Sequence, residues 1–371
     1  MSAKKKEIET LESDIQDQFK KELDHGDIKD VDKFISTGST LLDYAISNRV
    51  NGGIPQGRII EICGNESSGK SLLGYHILVN AQKMGGIGVY IDTERAASRS
   101  FMERIGVNFD ALVTPKKIPS SIEEVFDYIE KVVKVTKEKF PNKDKPVVIV
   151  WDSVAATGPK EEAELTNEED GRMGSAARAM SKCLRRVMEV LDEGYVTIVC
   201  INQLRAKIAL SFGDPDITPH GKSLPFYSSV RIKMTKLKQI KDIKADRTVG
   251  VMGEGKVFKN KVAPGWRTAN FPVMYDSGID DDTSLLHYLE NIEVVTGAAV
   301  KTITDHKGKE YQFRIADWSN LLQTEKDLKE FVDNTVKERM IITFETKPNL
   351  QIDTDSILEV QQIKDDLEEK E

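Results

Sequence analysis

Short apolar runs alternate with stretches of helical spacing along much of the chain. Arg58-Ile59-Ile60-Glu61-Ile62-Cys63, Ile87-Gly88-Val89-Tyr90-Ile91-Asp92, Pro146-Val147-Val148-Ile149-Val150-Trp151 and Val196-Thr197-Ile198-Val199-Cys200-Ile201 have the length and apolar character of buried strands. Leu72–Val79 and Ile122–Val135 carry apolar residues at helical spacing. Strands separated by helices predict an α/β fold with a central, mostly parallel sheet flanked by helices.

The same patterning marks the ends. Ile8, Leu11, Ile15, Phe19 and Leu23 form an amphipathic stripe, followed by the acidic stretch Asp24–Asp32. Residues 1–34 therefore predict an N-terminal helical arm, with packing on its own domain or on a neighbouring subunit both open. Lys256–Lys261 alternates like a strand and sets Lys259 and Lys261 on one face. Residues 279–345 predict a small α/β domain. In the last stretch, Gln351–Glu371, eight carboxylates stand against Lys364 and Lys370, so 346–371 is expected to be a flexible acidic tail. Such a tail can occupy the protein's own basic sites.

Composition narrows this picture. With 371 residues, 39% hydrophobic and 31% charged, the chain can bury one large core and a smaller second one. No run reaches the length needed to span a bilayer, and the Lys-rich start lacks the apolar centre of a signal peptide. These features predict a cytoplasmic protein without a membrane partner. Cys63, Cys183 and Cys200 are far apart in apolar segments, as buried free thiols would be. A formal net charge of −8 argues against a nucleic-acid partner unless local charge overrules it.

The chemistry centres on Gly64-Asn65-Glu66-Ser67-Ser68-Gly69-Lys70-Ser71, which fits the phosphate-cradling pattern G-x-x-x-x-G-K-[ST] between a strand and a helix. Glycines let the backbone curl so that N–H groups surround phosphate oxygens, with the helix N-terminus adding its dipole. Lys70 is expected to reach the β- and γ-phosphates of ATP, and the Ser71 hydroxyl to ligate Mg²⁺. Two other strands end in carboxylates: Glu94 just beyond one, and Asp152 closing the next. Asp152 is the candidate second Mg²⁺ ligand, directly or through water. Glu94 is the candidate that orients the attacking water, although a solvated strand-end acid is the commoner meaning of such a residue. Gln203, after Val196–Ile201, can bond a γ-phosphate oxygen.

Two stretches follow at the same sheet end. The first, 161–174, begins with an acidic run and ends in Gly171-Arg172-Met173-Gly174, before a helix bearing Arg178. The second, 204–227, carries Arg205, Lys207, Phe212, Gly221 and Lys222. Cations there can neutralise phosphates, and Met173 or Phe212 can stack on bases of single-stranded DNA. Composition alone favours ordinary surface loops.

Taken with Ile35-Ser36-Thr37-Gly38-Ser39, Leu42-Asp43, Gly52-Gly53, Pro55 and Gly57-Arg58, the phosphate loop makes the chain resemble the bacterial RecA recombinase family. The resemblance covers Phe34–Gly278 well and Leu285 to about Met340 loosely. It implies a RecA-like phosphate-loop ATPase core over 35–278, an N-terminal polymerisation arm, and DNA binding by the two loops. Glu94 would be the catalytic glutamate and Gln203 the sensor linking ATP to DNA. Lys259 and Lys261 would reach a neighbour's γ-phosphate, Phe101 would stack on the base, and Tyr275 would reach it from across the interface.

The implied activity is that of a DNA-dependent ATPase. It forms helical homo-oligomeric filaments with ATP and Mg²⁺ on single-stranded DNA and pairs that strand with homologous double-stranded DNA. The setting would be a bacterial cell, or host cytoplasm if the gene is phage-borne. A ring-forming motor of the same fold, and an ATP-gated filament scaffold without strand exchange, are the alternatives. The sequence departs from the family pattern at Ser98, where an aspartate is usual, at His220-Gly221, at Pro225, and in the acidic run Glu161–Asp170.

Overall fold

A computed structural model describes residues 30–140, 145–164, 174–191, 196–206, 216–242 and 245–343. Met1–Met340 cluster as one compact unit and Ile341–Glu371 as another; all that follows concerns the first. The amphipathic stripe of residues 8–23 and the acidic tail lie outside the described residues.

In chain order the strands are β1 (Phe34–Ile35), β2 (Ile54–Pro55), β3 (Ile59–Gly64), β4 (Ile87–Asp92), β5 (Leu112–Val113), β6 (Val147–Asp152), β7 (Val196–Gln203), β8 (Arg205–Ala206), β9 (Asp216–Ile217), β10 (Val230–Asp242), β11 (Arg247–Asn260), β12 (Arg267–Met274), β13 (Gly278–Ile279), β14 (Lys301–Thr304) and β15 (Glu310–Phe313). Nine of them form one sheet in the order β13-β12-β11-β10-β3-β7-β6-β4-β5. From β10 to β5 every neighbour is parallel; β11, β12 and β13 continue the β10 edge in antiparallel fashion. The remaining strands make three two-stranded pairs. The mostly parallel sheet expected from the sequence is therefore present, extended by a long antiparallel hairpin.

Alternation along the parallel strands divides the core into two faces. Ile149 and Trp151 of β6 and Ile198 and Cys200 of β7 point to the face covered by the helices Ile122–Lys139 and Ser175–Leu191. There Phe126 meets Trp151 edge to face, ring centroids 5.7 Å apart. Val150 of β6 and Ile201 of β7 lie under the helix Lys70–Lys83, which comes so close that a Cβ on Gly74 would stand 3.1 Å from each. Residue 74 is small because helix and sheet touch there.

Register places the functional rim. Gly64 pairs with Gln203, Asp92 with Asp152, and Asp152 with Ile201, so β3, β4, β6 and β7 end at one level. In parallel α/β sheets this carboxyl-end rim is where ligands bind.

The last third of the unit packs on the same sheet. The helix Asp281–Asn291 is tied to the helix Thr40–Ser47 through Thr40, whose N–H and hydroxyl donate to Asp281 at 2.7 and 2.6 Å. Trp318 is buried and donates its indole N–H to Asp282 O. Cys63, Cys183 and Cys200 are buried free thiols. Among the described residues no helix is long and apolar enough to cross a membrane.

Candidate functional site

The phosphate loop leaves β3 at Gly64, where any Cβ would stand 2.4 Å from the main-chain oxygen of Met234. Glycine is obligatory there for space. At Gly69 the reason is conformational: φ is +90°, in the left-handed region, immediately before the helix Lys70–Lys83. Ser67 shares that region at φ 58°. Asn65, Glu66 and Ser67 form the exposed crown of the loop, while Ser68 and Lys70 are buried beneath it. Ser68 Oγ and Lys70 Nζ both donate to Asn65 O, at 2.8 and 2.7 Å. Burial lowers the Lys70 pKa against the pull of the Asp152 and Glu94 charges. Its ammonium is thus held on a main-chain carbonyl, in position to exchange it for a phosphate oxygen.

Opposite the loop, Asp152 accepts from Tyr90 Oη at 2.9 Å and shares a side-chain hydrogen bond with Ser71. Burial raises its pKa, and the charges of Glu94 and Asp92 add to that, while the two hydroxyls oppose it. Ser71 and Asp152 offer only oxygen donors, converging at the start of a phosphate-binding helix. That set fits Mg²⁺, which takes one or two protein oxygens and completes its shell with water and phosphate. Among the described residues no group of three or more His, Cys, Asp or Glu is placed to hold a metal.

Glu94 stands exposed just past β4, with Thr93 and Glu94 N–H groups donating to Asp152 O. Its carboxylate accepts a short bond from Ser153 Oγ and a longer one, 3.5 Å, from Gln203 Nε2. The acid and the amide that the sequence marks at separate strand ends therefore meet. Sequence reasoning missed Ser153, Tyr90 and Tyr75; a hydroxyl inside or just past an apolar strand was the available signal.

Lys70, Ser71, Tyr75, Tyr90, Glu94 and Asp152 line a cleft of about 530 Å³, whose lining also includes Ser98, Phe101, Val251, Val273 and Tyr275. Phe101 lies edge-on to Tyr75 at 6.2 Å and under the Arg104 guanidinium at 5.7 Å. Ser98 caps the helix Arg99–Ile105, accepting from Phe101 N at 3.4 Å. Tyr275 corrects an expectation. It was to reach a base from across an interface, yet it follows β12, a strand of the same sheet, and lines the cleft of its own chain.

Lys259 and Lys261 are not in this cleft. Lys259 is in register with Arg231 and, through it, Glu61, and the N–H of Lys261 donates to Ser229 O beside the start of β3. Measured along β3, Gly64 lies about 10 Å from Glu61, the level of Lys259, and about 16 Å from Ile59, the level of Lys261. Lys259 Nζ donates to Pro225 O at 2.6 Å and Phe226 O at 2.9 Å, at the C-terminal end of the short helix Ser223–Tyr227. Lys261 Nζ lies 3.5 Å from Phe226 O and 5.7 Å from the Phe226 ring centroid. Burial lowers the Lys259 pKa, with the Lys261 charge second.

Of the candidate DNA contacts, Arg172, Met173, Lys207 and Phe212 lie outside the described residues. Arg178 is exposed on the helix Ser175–Leu191, and Lys222 is exposed ahead of Ser223–Tyr227. The backbone of Arg205 pairs with Ile217 in the β8–β9 ribbon. Gly221 has φ +81°, and a Cβ there would meet Ala177 Cβ at 2.9 Å. His220, also at positive φ, bonds Val154 O through Nε2 at 2.9 Å. Two departures from the family pattern thus have structural places: His220 ties the second loop to the turn after Asp152, and Pro225 O receives Lys259.

Fold and site define a class, an α/β sheet carrying a phosphate loop after its first core strand and an acid, an aspartate and an amide at adjoining strand ends. The RecA N-terminal domain family model matches residues 5–280, and the chain belongs to the RecA family. It is 34% identical over 352 residues to protein RecA of Caldanaerobacter subterraneus subsp. tengcongensis, covering 93% of this chain and 96% of that protein. Identity is 42% over 253 residues to protein RecA of Rhodopirellula baltica and 38% over 262 residues to that of Bifidobacterium breve. Those alignments cover 68% and 70% of this chain and 63% and 62% of the relatives.

Proposed function

We propose that the protein is a DNA-dependent ATPase and homologous recombinase. It would assemble with ATP and Mg²⁺ as a filament on single-stranded DNA and pair that strand with a homologous duplex. The observation that carries this reading is the division of charged groups between two ends of one sheet. Lys70, Ser71, Asp152, Glu94 and Gln203 gather at one rim, and Lys259 and Lys261 stand near the other. A second copy of the chain supplies the missing cations if its lysine-bearing end meets the first copy's phosphate-loop rim.

In this mechanism the loop N–H groups and Lys70 would bind the phosphates, and Ser71 with Asp152 would hold Mg²⁺, which would supply charge neutralisation for the transferring group. Glu94, fixed by Ser153, orients water in line with the γ-phosphorus and takes up its proton. Gln203, joined to Glu94, reports the state of the γ-phosphate to the loop that starts at its own C-terminal side. Phe101 and Tyr275 receive the base. DNA contacts by the 161–174 and 204–227 loops need only reach backbone and stack on bases, because base pairing supplies sequence specificity. Residues 1–34 would serve as the polymerisation arm and 346–371 as an acidic restraint, in a cytoplasmic setting.

The test is the ATP hydrolysis rate with and without single-stranded DNA, at low and moderate salt, beside a Lys70→Ala variant. A DNA-stimulated rate abolished in the variant supports the recombinase. A DNA-independent rate moves the reading to an ATP-gated scaffold.

A further inference from the structure

Tyr90 and Tyr75 have no part in the steps above, yet both are buried against the cleft. Tyr90 lies on β4, in register with Val150 of β6, so Asp152 is its diagonal neighbour on the same face. Its hydroxyl donates to Asp152 Oδ2 at 2.9 Å, and Tyr75 Oη lies 3.3 Å from Tyr90 Oη. A phenol has one proton. With that of Tyr90 committed to Asp152, Tyr75 must be the donor to Tyr90, which gives a directional chain of hydrogen bonds that polarises toward the carboxylate. Tyr75 also lies edge-on to Phe101 at 6.2 Å and 72°. One chain of rings thus runs from the base-binding wall to the aspartate.

We propose that Tyr90, braced by Tyr75, is a positioning residue for the cation site, fixing the Asp152 carboxylate beside Ser71 so that Mg²⁺ arriving with nucleotide meets a ligand already oriented. The proposal rests on the reading of the cleft as an ATP–Mg²⁺ site. Partners that hold a metal-binding carboxylate or imidazole in place typically carry a large share of metal affinity. The alternative for Asp152 Oδ2 is a buried oxygen without its donor, free to turn away from Ser71.

The experiment titrates MgCl₂ against binding of a fluorescent, ribose-labelled ATP analogue by the full chain, for the wild type, Tyr90→Phe, Tyr75→Phe and the double variant. Loss of the Tyr90 hydroxyl should raise the Mg²⁺ midpoint about tenfold, while analogue binding in EDTA is unchanged. Tyr75→Phe, which removes one neutral hydrogen bond further out, should raise it by about two- to threefold, and the double variant should match Tyr90→Phe. A merely structural role would lower the thermal midpoint and the EDTA affinity and leave the Mg²⁺ midpoint in place. A Tyr90→Phe midpoint equal to that of a Mg²⁺-dependent wild type overturns the proposal and leaves the ATP–Mg²⁺ reading standing. A wild type that binds the analogue with no response to Mg²⁺ overturns both. If Tyr90→Phe does not fold, Tyr75→Phe decides, and an unchanged midpoint there is equally fatal.

Discussion

The two ends of the central sheet hold their charges differently. At the phosphate-loop rim the acids bond other side chains, Asp152 with Tyr90 and Ser71 and Glu94 with Ser153 and Gln203, while Lys70 rests on the main-chain oxygen of Asn65. At the other end, Lys259 and Lys261 rest on main-chain oxygens of one short helix, beside Phe226 and near the turn that carries Trp266. Those two aromatic residues are 69% and 72% exposed. A network of mutually bonded side chains is built in advance and changes little when a ligand arrives. Lysines on carbonyl oxygens amid exposed aromatic surface can be re-aimed at low cost, and aromatic residues are what protein interfaces favour. In the proposed filament the first end would bind nucleotide and the second would meet a neighbouring copy.

The most severe way to break this division is Lys259→Ala. A cation that stabilises phosphoryl transfer from a neighbouring chain is worth roughly 10³-fold or more in rate, so hydrolysis should fall by about that factor in assembled protein while monomer nucleotide binding is unchanged. Mixing Lys259→Ala with Lys70→Ala chains should restore part of the rate, because some junctions then combine an intact loop with intact lysines. Absence of any restoration would place the lysines' role within one chain.

Glu94→Gln tests the other rim. Removing the proton acceptor while keeping an oxygen for Ser153 should reduce hydrolysis by about 10²–10³-fold, with analogue binding unaltered. A matching loss of binding would mean that Glu94 shapes the cleft instead of orienting water.

The smallest expected effect concerns a tie outside both ends. His76, on the helix after the phosphate loop, accepts from Ile279 N at 2.9 Å, and burial with the nearby Lys83 charge pushes its pKa down to about 4. A histidine of the unfolded chain titrates near 6.5. The folded value is the lower, so its contribution to stability is intact above about pH 6.5 and is lost as pH falls from there through about 4. His76→Gln keeps an acceptor without a titration, and its thermal midpoint should decline less steeply over that window.

Much of the phosphate rim was legible because its signals are local. Gly64 and Gly69 sit at fixed spacing, and Asp152 and Gln203 each follow an apolar strand directly. What escaped depends on which strands become neighbours. The pairing of Tyr90 with Val150 exists only once β4 lies beside β6, two strands away from β3, and nothing near Tyr90 in the chain announces it. Tyr275 was placed across an interface by the family resemblance alone, and no residue pattern near it says which chain's cleft it lines. The antiparallel hairpins fold β12 back beside β11 and bring Tyr275 to the cleft of its own chain. His220 read as a departure from a glycine pair, and its bond to Val154 O requires the turn after Asp152 to be in place.

Gly74 sets the height at which the phosphate loop stands over the sheet. Val150 and Ile201 lie within contact of the space a side chain would fill, so even alanine must lift the helix or displace those two residues by a few tenths of an ångström. Lys70 and Ser71 begin that helix and would ride upward with it, away from Asp152. The spacing between the two proposed Mg²⁺ ligands is therefore adjustable from beneath, by a residue that never faces the nucleotide.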